Sequence, residues 1–226
     1  MIKFTPIFLA VIVGLVMYRF SAWRTSRDLD RQSTLLKDPD LDALIVKMAR
    51  RLDLPDLRVY IFEIEPVNGL AAPDGRIFIT RGFFNKYKSG EVTAEELASV
   101  IAHELGHVAL GHSKRRMIDF SGQNAIRMAL SMVLGRFIPF FGVHIANLLV
   151  GLLAAGLSRK DEYEADAYAA ALLEKSGIGL YPQISLFRKL ESWTPKGGGS
   201  AAWLMSHPNT QNRIDAIKKL ELAWKS

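Results

Sequence analysis

Residues 93–108 read Thr-Ala-Glu-Glu-Leu-Ala-Ser-Val-Ile-Ala-His-Glu-Leu-Gly-His-Val. Thr93 followed three residues later by Glu96 is a capping-box pattern, which opens a helix. Leu97, Val100, Ile101 and Val108 give that helix an apolar face to bury. His103 and His107 are four apart, so both imidazoles lie on one side of it. Two neutral ring nitrogens at that spacing can share one tetrahedral zinc ion. Glu104, one residue on from His103, stands beside such an ion without ligating it. A carboxylate there is placed to take a proton from a water that the metal acidifies.

Composition bounds what surrounds this helix. The chain has 226 residues, 49% of them hydrophobic, which is enough for one sizeable domain with a real core. A formal net charge of +6 favours anionic surfaces such as membranes. No basic block interleaved with aromatics points to nucleic acid. There are no cysteines, so disulfides, thiolate nucleophiles and Cys-ligated zinc are excluded. Any metal is left to His and carboxylate ligands.

Upstream, residues 4–20 read FTPIFLAVIVGLVMYRF, with no charge from Phe4 to Tyr18. The reading favoured here is an uncleaved transmembrane anchor over residues 1–24, with Tyr18 and Trp23 at an interface. A cleaved signal peptide competes, but no small-x-small cleavage site follows the apolar run. Arg19, Arg24, Arg27, Arg31 and Lys37 follow the span, while only Lys3 and the amino terminus precede it. The positive-inside rule then predicts a single-pass inner-membrane protein with its domain, residues 25–226, in the cytoplasm. A periplasmic domain is the alternative.

Between anchor and motif, Leu41, Leu44, Ile45, Met48 and Leu52 predict a helix over residues 40–52. Residues 57–64 alternate as a strand, with Val59, Ile61 and Glu63 on one face. Residues 68–73 read as a turn or irregular strand. Asp74-Gly75 signals a hairpin into a strand over residues 76–80. Residues 82–90 read as a short connection.

A catalytic zinc site takes three protein ligands and keeps one position open. Candidates for the third lie in residues 158–169, SRKDEYEADAYA, an acid-rich start to an alanine-rich helix. Glu162 and Asp166 share a face and Glu164 lies roughly opposite. Acids at a helix N-terminus also suit the helix dipole without any metal. His112 is five residues beyond His107, about 140° round a continuing helix, and reads as a structural histidine.

HELGH at residues 103–107, DEYEAD at 161–166 and SHPNTQNRI at 206–214, in that order, resemble the HtpX, CaaX-prenyl-protease and Oma-type family of membrane zinc metallopeptidases. The likeness extends from about residue 40 to the C-terminus. It implies an α+β, mainly helical, zincin-like domain of the gluzincin type, with a small antiparallel sheet beside the HExxH helix and one transmembrane helix before it. It implies one zinc per chain, held by His103, His107 and Glu162. It makes Asp166 the residue that orients a ligand histidine. His207 and Arg213 would face the substrate carbonyl and steady the tetrahedral intermediate. It also implies an edge strand to which a substrate chain adds, here Asn68, Gly69, Leu70 and Ala71. Relatives commonly carry Asn-Ala-Phe-Ala there, a departure that leaves the zinc site intact and removes the family's substrate pockets as a guide to this chain. One anchor fits the quality-control branch better than the many-span prenyl-protease branch.

Residues 137–157 are 21 in a row without a formal charge, long enough to span a bilayer. A single crossing would put His103 and Glu162 on opposite sides of the membrane. The expectation is therefore a helical hairpin over residues 125–157 that stays on one side, with Pro139 and His144 fitting a bend. The three successive glycines in residues 195–200 predict a flexible loop before His207. The resulting expectation is a membrane-anchored zinc endopeptidase acting on protein or peptide substrates, with Glu104 as general base. A zinc-binding membrane adaptor without proteolysis is the main alternative. A pore is disfavoured by the small number of spans.

Overall fold

The computed structural model describes residues 26–72, 74–112, 142–193 and 210–225, together with Arg19, Trp23, Arg24, Arg115 and His207. In chain order its elements are β1 (Ser33–Leu35), α1 (Pro39–Arg51), β2 (Val59–Phe62), β3 (Gly69–Ala71), β4 (Ile77–Thr80), α2 (Arg81–Lys88), α3 (Ala94–Ala109), α4 (Gly142–Lys175), α5 (Tyr181–Ser192) and α6 (Thr210–Lys225). The fold is mainly helical with one small sheet.

The helices start where local chemistry supplies a cap. In α1 the Asp38 side chain accepts from the Leu41 N–H at 3.3 Å, with Pro39 in the first turn. Leu41, Leu44, Ile45 and Met48 are its buried stripe. In α3 the Thr93 hydroxyl accepts from the Glu96 N–H at 3.2 Å, and the Glu96 carboxylate accepts from the Thr93 N–H at 2.9 Å. The expected capping box is present. The same Glu96 binds Ser185 and Lys189 of α5, both at 2.7 Å, so the cap also docks a neighbouring helix. Every residue of α3 from Glu96 to His107 is buried. It is the central helix, packed by α1, α4, α5 and β3.

The sheet has order β1-β2-β4-β3 and is mixed, where the sequence suggested an antiparallel one. After β2 the chain skips one position, runs out as β3 and returns as β4 into the gap. Because β4 is antiparallel to β3 across the hairpin, it lies parallel to β2. The Asp74-Gly75 signal holds: Gly75 takes φ +92°, the left-handed region where glycine is unstrained. Val59 and Ile61 point into the core as expected, but Glu63 is at the surface, bound to Arg81 at 2.6 Å and 2.7 Å. Residues 82–90, expected as a connection, instead contain most of α2. Thr80 caps it through the Phe83 N–H and bonds Asn68 with the same hydroxyl.

Apart from Arg19, Trp23 and Arg24, the anchor expected over residues 1–24 lies outside the described residues, as does the first arm of the hairpin expected over 125–157. Residues 142–157 of that segment are continuous with the helix that carries Glu162, as the N-terminal half of α4. Among the described residues no helix is long and apolar enough to cross a membrane. Leu29 packs on Phe78 and Ala72, so the chain preceding β1 is seated on the sheet.

Candidate metal centre

Two helices make the site. α3 presents His103 and His107, and α4 crosses it with Glu162 and Asp166. The crossing is close because of Gly106. A Cβ there would lie 2.9 Å from the Ala165 carbonyl oxygen and 3.0 Å from its Cα. Gly106→Ala must therefore push α4 away and draw Glu162 from the two imidazoles. Overpacking of this kind costs about 1–3 kcal/mol. The expected result is a lower melting temperature together with weaker zinc retention on dialysis, and a fully loaded variant of normal melting temperature would contradict it.

The donor atoms converge. His103 Nε2 lies 3.1 Å from His107 Nε2, and the Glu162 carboxylate lies 3.4 Å from each. Donor atoms on a tetrahedral zinc, about 2.0–2.2 Å from the metal, stand about 3.4 Å apart. The set of two imidazoles and a carboxylate therefore fits zinc in spacing and in chemistry. His207 joins it, with Nδ1 at 3.3 Å from His103 Nε2 and 2.6 Å from Glu162. These four side chains are buried and each offers one atom within 4.8 Å of the others. Glu104 is buried beside them, its carboxylate 3.7 Å from His207 Nε2.

Electrostatics sort the rings. Burial pushes His107 down to about 3, against the opposing pull of Glu162, so it is neutral at pH 7. Burial likewise lowers His207 to about 4. Burial alone would lower His103 too, but hydrogen bonds to Asp166 and Glu162 raise it to about 9. Burial would also raise Glu162, yet its three histidine contacts hold it far below the usual carboxylate range.

Behind the donors sits a second layer. Asp166 Oδ1 is 2.9 Å from His103 Nδ1, which directs the other nitrogen of that ring at the site. Arg213 grips Asp166 with two bonds, Nε to Oδ2 at 2.6 Å and Nη2 to Oδ1 at 2.7 Å. Its Nη1 is 3.2 Å from Glu162 and donates to the His207 carbonyl at 3.2 Å. The guanidinium lies 4.6 Å over the Phe187 ring, and the residue is 1% exposed. The sequence expectation had Arg213 facing substrate; the structure seats it one layer further in, behind Glu162 and His207. Gln183 of α5, not singled out from sequence, points its amide at Asp166 from 3.5 Å.

Of the expected site residues, His103, Glu104, His107, Glu162, Asp166, His207 and Arg213 meet in one buried cluster. Asn68, Gly69, Leu70 and Ala71 lie on and just before β3, the outer strand of the sheet among the described residues, which packs on α3. Glu164, on the opposite face of α4, reaches His112 instead.

The model of peptidase family M48 matches residues 35–221. The chain is 32% identical over 161 residues to the metalloprotease LoiP of Escherichia coli, covering 70% of this chain and 60% of LoiP. It is 30% identical over 158 residues to the metalloprotease YcaL of the same organism, covering 70% of this chain and 59% of YcaL. It is 27% identical over 251 residues to a protease HtpX homolog of Salinibacter ruber, covering 94% and 87%. The matches thus span about three-fifths of LoiP and YcaL.

Proposed function

The chain belongs to peptidase family M48, and from that premise we propose that it is a membrane-anchored zinc metalloendopeptidase, with the metal held by His103, His107 and Glu162. The observation that carries this reading is the meeting of those three donors at 3.1 Å and 3.4 Å from two crossing helices, with Glu104 buried alongside. Zinc bound there supplies a Lewis acid for the scissile carbonyl and the attacking water. Glu104 accepts the water proton and returns it to the leaving amine. His207 would donate a ring N–H to the carbonyl oxygen as charge develops on it. Arg213 steadies His207 through its main-chain carbonyl and holds Asp166 against His103.

Among the described residues β3 pairs only with β4, so its outer edge can accept an extended substrate chain as a further strand. Main-chain bonds would hold the peptide while Leu70 and its neighbours select side chains. The apolar run before Arg19 supports an anchor. Leu29, seated on Phe78, would tie that anchor to the sheet with few intervening residues. The positive charges after the run favour a cytoplasmic domain. A single anchor beside a protein-cleaving site fits turnover of membrane or envelope proteins. Recovery of the full-length chain in the supernatant after alkaline carbonate extraction would contradict the anchor.

Glu162→Ala is expected to lose zinc from the purified protein, read by metal analysis, because it removes the one carboxylate among the converging donors. Unchanged zinc content would assign the third ligand elsewhere. Casein degradation with and without chelator separates this reading from a zinc-binding adaptor, which would keep its metal and cleave nothing.

A further inference from the structure

We propose that His112 is a positioning residue for the metal centre: it accepts the Nδ1 hydrogen of His107 and so keeps the Nε2 lone pair of His107 aimed at the site shared with Glu162. The proposal rests on the zinc reading above and adds a residue to it.

The chain geometry brings His112 there. α3 ends at Ala109, and Gly111 turns the backbone at φ +71°. His112 thus folds back along the helix instead of continuing round it. Its ring is fully buried, with Nδ1 at 2.9 Å from His107 Nδ1. Its other nitrogen, Nε2, is 3.1 Å from the Glu164 carboxylate and 3.9 Å from Asp161.

The direction of this chain of bonds follows from which groups can only accept. Ionised carboxylates have no hydrogen to give, so the hydrogen between His112 and Glu164 resides on His112 Nε2. A neutral imidazole carries one hydrogen, so His112 Nδ1 is bare and must accept. The hydrogen in the 2.9 Å contact then belongs to His107 Nδ1. A neutral His107 with its hydrogen on Nδ1 has its lone pair on Nε2, the atom 3.4 Å from Glu162.

The direction agrees with the site side, where a His107 that ligates through Nε2 keeps its one hydrogen on Nδ1 and so gives it to His112. Arg115 binds Asp161 in a short contact and lies 4.0 Å from Glu164, and Lys160 is 3.4 Å from Glu164. His112, Asp161 and Glu164 also have the spacing of a metal group, but Arg115 already sits on its acids. The two ligand histidines are thus held differently, His103 directly by a carboxylate and His107 through a neutral ring backed by one.

The test is zinc affinity of the full-length protein in detergent, by chelator competition. Outer partners of ligand histidines are worth on the order of 10–100-fold in metal affinity. His112→Leu removes the acceptor and is expected to weaken zinc binding by that factor. His112→Asn puts an oxygen where Nδ1 was and is expected to stay within about threefold of the parent, against the 10–100-fold loss. Long-range proton–nitrogen spectra of histidine-labelled protein, with and without zinc, should show His107 protonated at Nδ1 and His112 at Nε2 only. They decide the matter even if the Leu variant does not fold. Equal affinities for Leu and parent, an Asn variant as weak as Leu, or a hydrogen on His112 Nδ1 would each overturn the proposal. So would a second zinc per chain that disappears with His112. If the parent binds no zinc, the functional reading falls by itself, while the metal-free spectra still report on His112.

Discussion

Glu104→Gln is expected to bind one zinc per chain and to lose proteolysis by about 10²–10⁴-fold, the usual worth of a general base. The replacement is nearly isosteric, which matters because Glu104 is buried and a smaller residue would leave a cavity. Zinc should stay because the converging donors are His103, His107, Glu162 and His207, and Glu104 is not among them. The amide keeps a carbonyl oxygen at the same place but cannot take up the proton of an attacking water. Metal analysis and casein degradation on the same preparation read both halves of the prediction. Chelator-sensitive cleavage at the parent rate would remove Glu104 from the mechanism, and loss of zinc would make it part of the metal site.

That half of the site was legible because it is local. His103, Glu104 and His107 sit within two turns of one helix, and the Thr93 and Glu96 pair fixes where that helix begins. Periodicity alone also locates α1, and Asp74-Gly75 locates the return into β4. What sequence could not give depends on where the chain goes after a local pattern ends. His112 was placed by continuing the helix at 3.6 residues per turn, but α3 stops at Ala109 and Gly111 reverses the path. The parallel pairing of β2 with β4 follows from β3 taking the outer position, a long-range choice with no local mark. α2 carries no spaced apolar stripe, since Phe83 and Phe84 are adjacent, yet both are buried. The burial of Arg213 has no local mark either, because Asp166 and Glu162, the carboxylates that answer its charge, lie on another helix and meet it only in the packed structure.

Arg213→Ala is expected to be the most destabilising single change at the site. In the parent, the guanidinium faces Asp166 through two bonds and Glu162 at 3.2 Å, all three side chains being buried. Removing it leaves two carboxylates without their cation, and breaking a buried pair this way costs about 3–5 kcal/mol. For a domain of this size that is a fall in melting temperature of roughly 6–20 °C. The loss should be largest in chelator, because bound zinc would itself answer the charge on Glu162. A double-mutant cycle locates the cause. Asp166→Asn added to Arg213→Ala should cost less than the two single changes summed, with a coupling of about 0.5–3 kcal/mol. Arg213→Lys restores charge but not the paired bonds, so it should recover part of the stability and leave His103 less well held. The same series separates two roles for this residue. If Arg213 acts only by holding Asp166 and His207, zinc affinity and stability fall together with turnover. If turnover collapses while the melting temperature and zinc affinity stay at parent values, the guanidinium must move out to touch substrate, and the buried arrangement is not its working state.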